Sequence, residues 1–501
     1  MPTPTQARTR LVVLVAIGAA FMSSLDLFVV NVAFDEIGAS FGVNRPGGPT
    51  AGDLSWVLNA YAVTFAALLV PFGRLADRYG RKHIFMGGLL LFTLASVACA
   101  LSGSVWVLVA CRVLQAAGAA AMTPTSLSIL LAALPPERRL GGVRLWAATG
   151  AIAAAIGPSV GGVLTQFGWQ WVFLINVPVG AVLLVVTRRE VHEARPDDEA
   201  GVPDLLGAVL FAVSVGLLAL GLVKSPEWGW TSGGTALALG LSLVLGVLFA
   251  LRSMRHPSPV IHPELLRVTT FRWAILTMVL FNVSFAINLL VGILWLQQIW
   301  GYSALQTGFA VAAGPVLVPV TAALSHRFLS AAQPGRLITA GSLVMALSSL
   351  FLARSMGPDP AYLTTYLPGW LLGGVGVGLA LPNLMAGATH DLAPHQAATG
   401  SGVVTMARQI GFVVGVSILF AIVGDGVGPV AMDAFITCFL VAAAVLVAAA
   451  VTASGMAARV RPDGASATRR GPRTPQTPRP RAVGRSGLSA VPDTASPHRA
   501  L

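Results

Sequence analysis

The feature that most constrains this chain is a succession of apolar segments, most of them near the ~20 residues a helix needs to cross the hydrocarbon core of a bilayer. They fall at about 11–33, 54–72, 83–103, 105–130, 142–166, 171–187, 205–223, 235–251, 273–297, 306–325, 337–354, 363–388, 400–423 and 432–454. Of the 501 residues 55% are hydrophobic and only 10% are charged. Soluble domains carry roughly a quarter charged, so the chain reads as an all-α integral membrane protein with fourteen transmembrane helices. Polar links from Arg188 to Asp204 and from Arg252 to Arg272 divide the spans six, two and six. The first run, preceded by Arg8 and Arg10, is longer than the apolar part of a signal peptide and is expected to stay as the first span.

The spacing predicts an N-terminal six-helix bundle over 1–190, two linker spans with flanking loops over 191–270, and a C-terminal six-helix bundle over 271–455. The stretch 456–501 has nine Arg, seven Pro and no aromatic residue. It cannot bury enough apolar surface to offset its ordering entropy and is expected to be a disordered basic tail. Cytoplasmic loops retain Lys and Arg. With the N-terminus inside, that side carries Arg8, Arg10, Arg74, Arg78, Arg81, Lys82, Arg138, Arg139, Arg144, Arg188, Arg189, Arg195, Arg252, Arg255, Arg267, Arg272, Arg327 and Arg336. The outer side carries only Arg45, Lys224 and Arg354. The expected location is the cell membrane, with both termini cytoplasmic.

Several function classes fall away. A net charge of +12 would suggest nucleic acid in a soluble protein; here the bases mark topology, and no nucleic-acid partner is expected. Cys99, Cys111 and Cys438 sit inside apolar runs and form neither a disulfide framework nor a metal-ligand pair. The eight His make no ligand set, so no metal and no cofactor are expected. Neither Lys82 nor Lys224 has the glycine frame of a phosphate loop. A membrane-embedded enzyme would need clustered His, Asp or Glu within the spans, and one acid lies there.

That acid is Asp26; the bases at depth are Arg112 and Arg408. A charged side chain at the bilayer centre costs about 2.5–3.5 kcal/mol on insertion scales, so it usually serves function. Asp26 and Arg112 each lie seven residues from the expected outer ends at Ala33 and Val105, roughly 10 Å at ~1.5 Å per residue, and could share one depth. Between spans two and three stands Gly73-Arg-Leu-Ala-Asp77-Arg78-Tyr-Gly80-Arg81-Lys82. Gly73 would let a neighbouring helix approach, Gly80 can take the positive φ of a short turn, and Asp77 can pair with Arg78 or Arg81 or face a helix N-terminus. A charge cluster made in one conformation and broken in another biases a two-state rocker. Span five carries Gly150 and Gly157-Pro158-Ser-Val-Gly161-Gly162, where Pro158 is expected to bend the helix and Gly157 and Gly161 to form a close-packing face. In span nine Phe281, Phe285, Asn288 and Trp295 share one face, which suits either an amphiphile cavity or a helix-packing stripe.

The loop between spans two and three resembles the major facilitator signature at every position, and the degenerate Ala323-Leu-Ser-His326-Arg327 with Gly335-Arg336 after span ten fits a second, related half. The glycine-proline run of span five resembles that superfamily's antiporter motif. Leu25-Asp26 with Asn31-Val-Ala, Trp169-Gln-Trp171-Val-Phe-Leu-Ile-Asn176-Val-Pro178, Gln297-Gln298-Ile-Trp-Gly301-Tyr302-Ser303, Ala407-Arg408-Gln409-Ile-Gly411 and Arg112-Val-Leu-Gln115 with Gly118 resemble the fourteen-helix drug:proton antiporter branch. Ala116 for Gly, Phe34-Asp35 for Leu-Pro and Gln170 for Arg depart from its pattern. The resemblance covers roughly 10–455. It implies the major facilitator fold, two six-helix bundles plus two central helices, and a monomer that exports amphipathic small molecules by alternating access in exchange for protons. Asp26 and Arg112 become the proton-coupling pair, with uptake expected while Asp26 lies near Arg112 in the outward-open state. Asn31, Arg408 and the span-nine face become cavity candidates. The alternative is the same fold moving one metabolite, such as a self-made antibiotic, a lipid or a sugar.

Overall fold

A computed structural model describes residues 4–43, 45–193, 203–328, 333–393, 396–424 and 429–457; the expected basic tail lies outside them, except for its first two positions. The helices are α1 (Pro4–Val32), α2 (Phe34–Ser40), α3 (Ala51–Tyr79), α4 (Arg81–Ala100), α5 (Val105–Ala133), α6 (Pro136–Thr165), α7 (Trp171–Leu174), α8 (Asn176–Glu190), α9 (Leu205–Trp228), α10 (Gly233–Arg255), α11 (Thr269–Leu294), α12 (Ala304–Phe328), α13 (Pro334–Ser355), α14 (Leu367–His390), α15 (Ala397–Val423) and α16 (Pro429–Ala457). Fourteen spans, with α7 and α8 together making the sixth, are long and apolar enough to cross a membrane. α11 continues through a π-helical turn at Trp295–Ile299.

Local chemistry sets the ends. Thr50 and Asp53 form a reciprocal capping box at the start of α3, while Ser104, Asp204 and Ser232 accept backbone N–H bonds at the starts of α5, α9 and α10. Gly80, at φ 103°, makes the turn from α3 into α4. α6 stays helical through Pro158.

The two halves pack by one scheme. In the first, α1 lies on α6 and α3 on α5; in the second, α11 lies on α15 and α12 on α14. The first span of each half meets the fifth and the second meets the fourth, as two related repeats would. Between the halves α6 meets α12 and α3 meets α15, and α9 rests on both α3 and α15. A Ser214–Ser242 exchange of side-chain to backbone hydrogen bonds joins α9 to α10, as does Arg252 to Asp204 at 2.7 Å. Lys224 ties α9 to Asp53 of α3 at 3.0 Å.

Burial is unequal across the membrane. At the face remote from the start of α1 and the end of α16, one core joins both halves, including Leu25, Val29 and Leu58 from the first and Leu290, Trp295 and Val416 from the second. Toward the terminal face each half has a core of its own, around Val15, Phe85 and Ile129 in one and Phe271, Ile338 and Leu384 in the other, and a further core including Ala66, Val70, Phe211 and Met406 joins α3, α9 and α15 across the halves. The halves are therefore locked together at the remote face.

Candidate functional site

Asp26 on α1 and Arg112 on α5 meet at 2.5 Å, and both side chains are 1% exposed or less. Five further groups complete the cluster. Gln115, one turn beyond Arg112, donates to Asp26 Oδ1 at 2.9 Å and accepts from the guanidinium at 2.6 Å. Asn176, at the start of α8, donates to the same carboxylate oxygen at 3.2 Å. Arg112 Nε donates to the Val57 carbonyl at 3.2 Å, and its guanidinium lies 4.1 Å from the centre of the Tyr61 ring. Ser96 Oγ accepts from both amides. Charge at this depth is tolerable because the carboxylate is paired with the guanidinium and accepts three hydrogen bonds. The guanidinium donates to Oδ2 and two amides donate to Oδ1.

Sequence reasoning put Asp26 and Arg112 together but left Gln115, Asn176, Ser96 and Tyr61 unassigned. Gln115 was findable, being three residues from Arg112 on one helix face. The others come from α3, α4 and α8, and no spacing along one helix could supply them. The pair is intact with the remote face closed.

Small residues close the helices around this cluster. A Cβ on Gly157 would stand 2.6 Å from Phe28 Cβ, and one on Gly161 would stand 2.8 Å from the Val29 carbonyl, both on α1. Gly162 does the same against Ala304 of α12, at 2.5 Å from its carbonyl oxygen. Gly150 has only an ordinary contact, 3.6 Å to Ser24.

The loop glycines divide. Gly80 is required by its φ of 103°, and a Cβ there would make the end of the Glu193 side chain shift. Gly73 is not: a Cβ there would be 3.7 Å from Pro124, so the close approach expected of it is absent in this conformation. Asp77 pairs with Arg81 at 3.0 Å near the surface, and the Arg78 guanidinium lies 5.7 Å from the Tyr79 ring. The acid that faces a helix N-terminus is Glu193, missed by the sequence reading, which accepts from the backbone N–H groups of Lys82 and His83 at 3.1 Å each. Arg74 contacts His262 in the connection after α10, where burial and then the guanidinium lower the imidazole pKa.

The profile of the Major Facilitator Superfamily matches residues 16–416. The chain belongs to that superfamily. It is 32% identical over 399 residues to the methylenomycin A resistance protein of Streptomyces coelicolor, covering 79% of this chain and 82% of that one. It is 34% identical over 421 residues to the multidrug resistance protein Stp of Mycobacterium tuberculosis, covering 82% and 75%. Among solved structures, an auto-inhibited POT family peptide transporter superposes with a TM-score of 0.66 over 90% of this chain and 97% of that one, at 17% identity. The fold is thus that of a facilitator transporter, and the chain is a multi-pass membrane transporter.

Of the two readings of the span-nine face, cavity or helix-packing stripe, this conformation displays the packing. Phe281 is fully buried among Met345, Val377 and Leu446. Asn288 accepts from Ser349 of α13 at 2.9 Å, and Trp295 packs against Phe435 of α16, 6.0 Å between ring centres. Phe285 packs with the same clusters. The stripe holds α11 within its own half. Asn31 is buried, with Nδ2 bonded to the Leu27 carbonyl and Oδ1 without a partner among the described residues. Arg408 is partly buried and makes no hydrogen bond or ion pair among the described residues.

Proposed function

We propose that this facilitator is a proton-coupled antiporter that exports amphipathic organic compounds from the cytoplasm by alternating access, with both termini cytoplasmic. The observation that carries the proposal is the sealed Asp26–Arg112–Gln115–Asn176 cluster. With the termini inside, the conformation is closed outward, and Asp26 holds one donor on Oδ2 and two on Oδ1. This is the state after release to the cytoplasm. Opening outward draws α1 away from α5 or α8, frees an oxygen of Asp26 and lets a proton bind as substrate leaves; closing restores the donors and expels it. The resistance names of the relatives support the outward direction, since a transporter protects a cell by lowering the internal drug concentration. Arg45, Lys224 and Arg354 facing eighteen bases on the other side support the orientation.

The energetics are adequate. One proton entering down about 150 mV releases ~3.5 kcal/mol at ~2.3 kcal/mol per 100 mV. That sustains roughly a 300-fold gradient of a neutral compound, at ~1.4 kcal/mol per tenfold. The test is uptake into inverted vesicles. Wild-type accumulation should collapse with a protonophore and ignore vanadate. Asp26→Asn keeps the shape but not the titration, so it should abolish accumulation while downhill exchange continues. Accumulation by Asp26→Asn against a gradient would place the carrier elsewhere.

A further inference from the structure

Arg408, a cavity candidate by resemblance, is the cation at depth in the second half. Arg408 lies 11 residues from the start of α15 at Ala397 and 15 from its end at Val423, roughly 16 and 22 Å at ~1.5 Å per residue, near the middle of the bilayer. A guanidinium there is expected to pair with an acid or a carbonyl, or to border a watery cavity. The segments alongside it offer no acid. Gly402 lies against Val70 and Asn59 donates to Ser417, so antiparallel α3 passes Arg408 with apolar residues around Ala66 and Ala67. Gly411 lies against Val279 and Asn282, so α11 passes it near Ile275 and Met278. Asp26, the one acid at comparable depth, is committed to Arg112, Gln115 and Asn176.

The faces of α15 then fix where Arg408 is directed. Val404, Ala407 and Gly411 pack on α11, while Met406, Ile410 and Val413 pack toward α3 and α9. At 100° per residue Arg408 falls with Ser401 and Thr405 on a flank outside both of these packed faces. Among the charges deep in the spans, Asp26 and Arg112 cancel, and Arg408 leaves one positive charge uncompensated.

We infer that Arg408 is the counter-charge for an oxyanion carried by the substrate, and that the transporter selects amphipathic organic acids, chiefly carboxylates. The planar guanidinium fork matches a carboxylate with two parallel hydrogen bonds, and the surrounding apolar wall receives the rest of an amphiphile. This rests on the proposal that the space between the halves carries substrate.

The test uses two matched pairs, N-dansyl-leucine with its amide and naproxen with its amide. Binding is measured to the full chain in nanodiscs of phosphatidylcholine, beside uptake into inverted vesicles. For at least one pair the acid should bind about tenfold or more tighter than the amide, the scale of a bidentate charge-assisted contact. Arg408→Lys should keep part of that ratio, and Arg408→Gln should bring it to near one. A wild-type ratio near one in both pairs, or a ratio that survives Arg408→Gln, overturns the inference. So does loss of acid binding when phosphatidylglycerol is added to the discs, which would make lipid the occupant. Protonophore-sensitive uptake of an amide with no acid preference sinks this inference alone. Absence of protonophore-sensitive uptake for every probe sinks the export reading and this one with it.

Discussion

The two halves share a packing scheme and differ in what they do with charge. Each half holds one arginine at membrane depth. Arg112 is enclosed by Asp26, Gln115, the Val57 carbonyl and the Tyr61 ring, and nothing further can reach it without breaking a contact. Arg408 has none of these and is only partly covered. A cation that is already satisfied suits an internal switch, which changes state when the protein itself moves. A cation left open suits recognition, because its partner must come from outside. Under the proposed antiport, this difference would divide the labour between the halves, with coupling in the first and selection in the second.

The widest separation between the two arginines should appear in stability. Arg112→Gln strands the Asp26 carboxylate, and breaking a buried pair from one side costs about 3–5 kcal/mol. Its melting temperature in nanodiscs should fall by many degrees, and double replacement with Asp26→Asn should recover much of the loss. Arg408→Gln removes a charge with no partner, so its melting temperature should hold or rise. Equal destabilisation by the two single variants would mean that Arg408 is paired in the folded protein, and the contrast would collapse.

That contrast was only half legible in the sequence. The fold was readable because fourteen apolar runs and one-sided bases are local patterns, and a bilayer enforces them segment by segment. The pairing of Asp26 with Arg112 was readable because two rare charges had the same distance to a helix end. Asn176, Ser96 and Tyr61 were not, because they converge from separate helices. The span-nine face stayed open between two readings for a related reason. A stripe of Phe281, Asn288 and Trp295 looks the same whether it faces a cavity or neighbouring helices, and only the packing of α13, α14 and α16 decides between them.

A smaller effect should show the halves to be alike in packing even where they differ in charge. Gly161 lets α6 touch the Val29 carbonyl on α1, and Gly415 lets α15 touch the Val283 carbonyl on α11, with Cβ positions 2.8 and 2.3 Å away. These are the same pair of spans in each half. Gly161→Leu and Gly415→Leu should each cost roughly 1–3 kcal/mol by overpacking, with similar falls in melting temperature. Gly73→Ala should cost little, since its nearest neighbour leaves ordinary contact room. A large loss at Gly73, or a harmless Leu at either packed glycine, would show that the closed packing seen here is not the state that dominates stability.

The smallest expected change in stability, and the one most specific to motion, lies in the first half's loop. Asp77 and Arg81 form a surface pair with both side chains more than a third exposed, and such pairs contribute only ~0–1 kcal/mol. The second half has Ser325 and His326 in the corresponding echo and no acid there. If the loop merely braced the fold, Asp77→Asn would do almost nothing. If its charges are remade when the halves rock, the variant should keep its melting temperature and bind substrate within a few-fold of wild type, yet turn over several-fold more slowly. Glu193→Gln, which weakens the acceptor at the N-terminus of α4 without removing it, should slow turnover less. Wild-type turnover in Asp77→Asn would show that the charges of this loop set topology alone, and failure to insert would show that they are needed before any transport begins. Slowed turnover with binding and stability preserved would leave the first half as the side of the molecule that times the transport cycle.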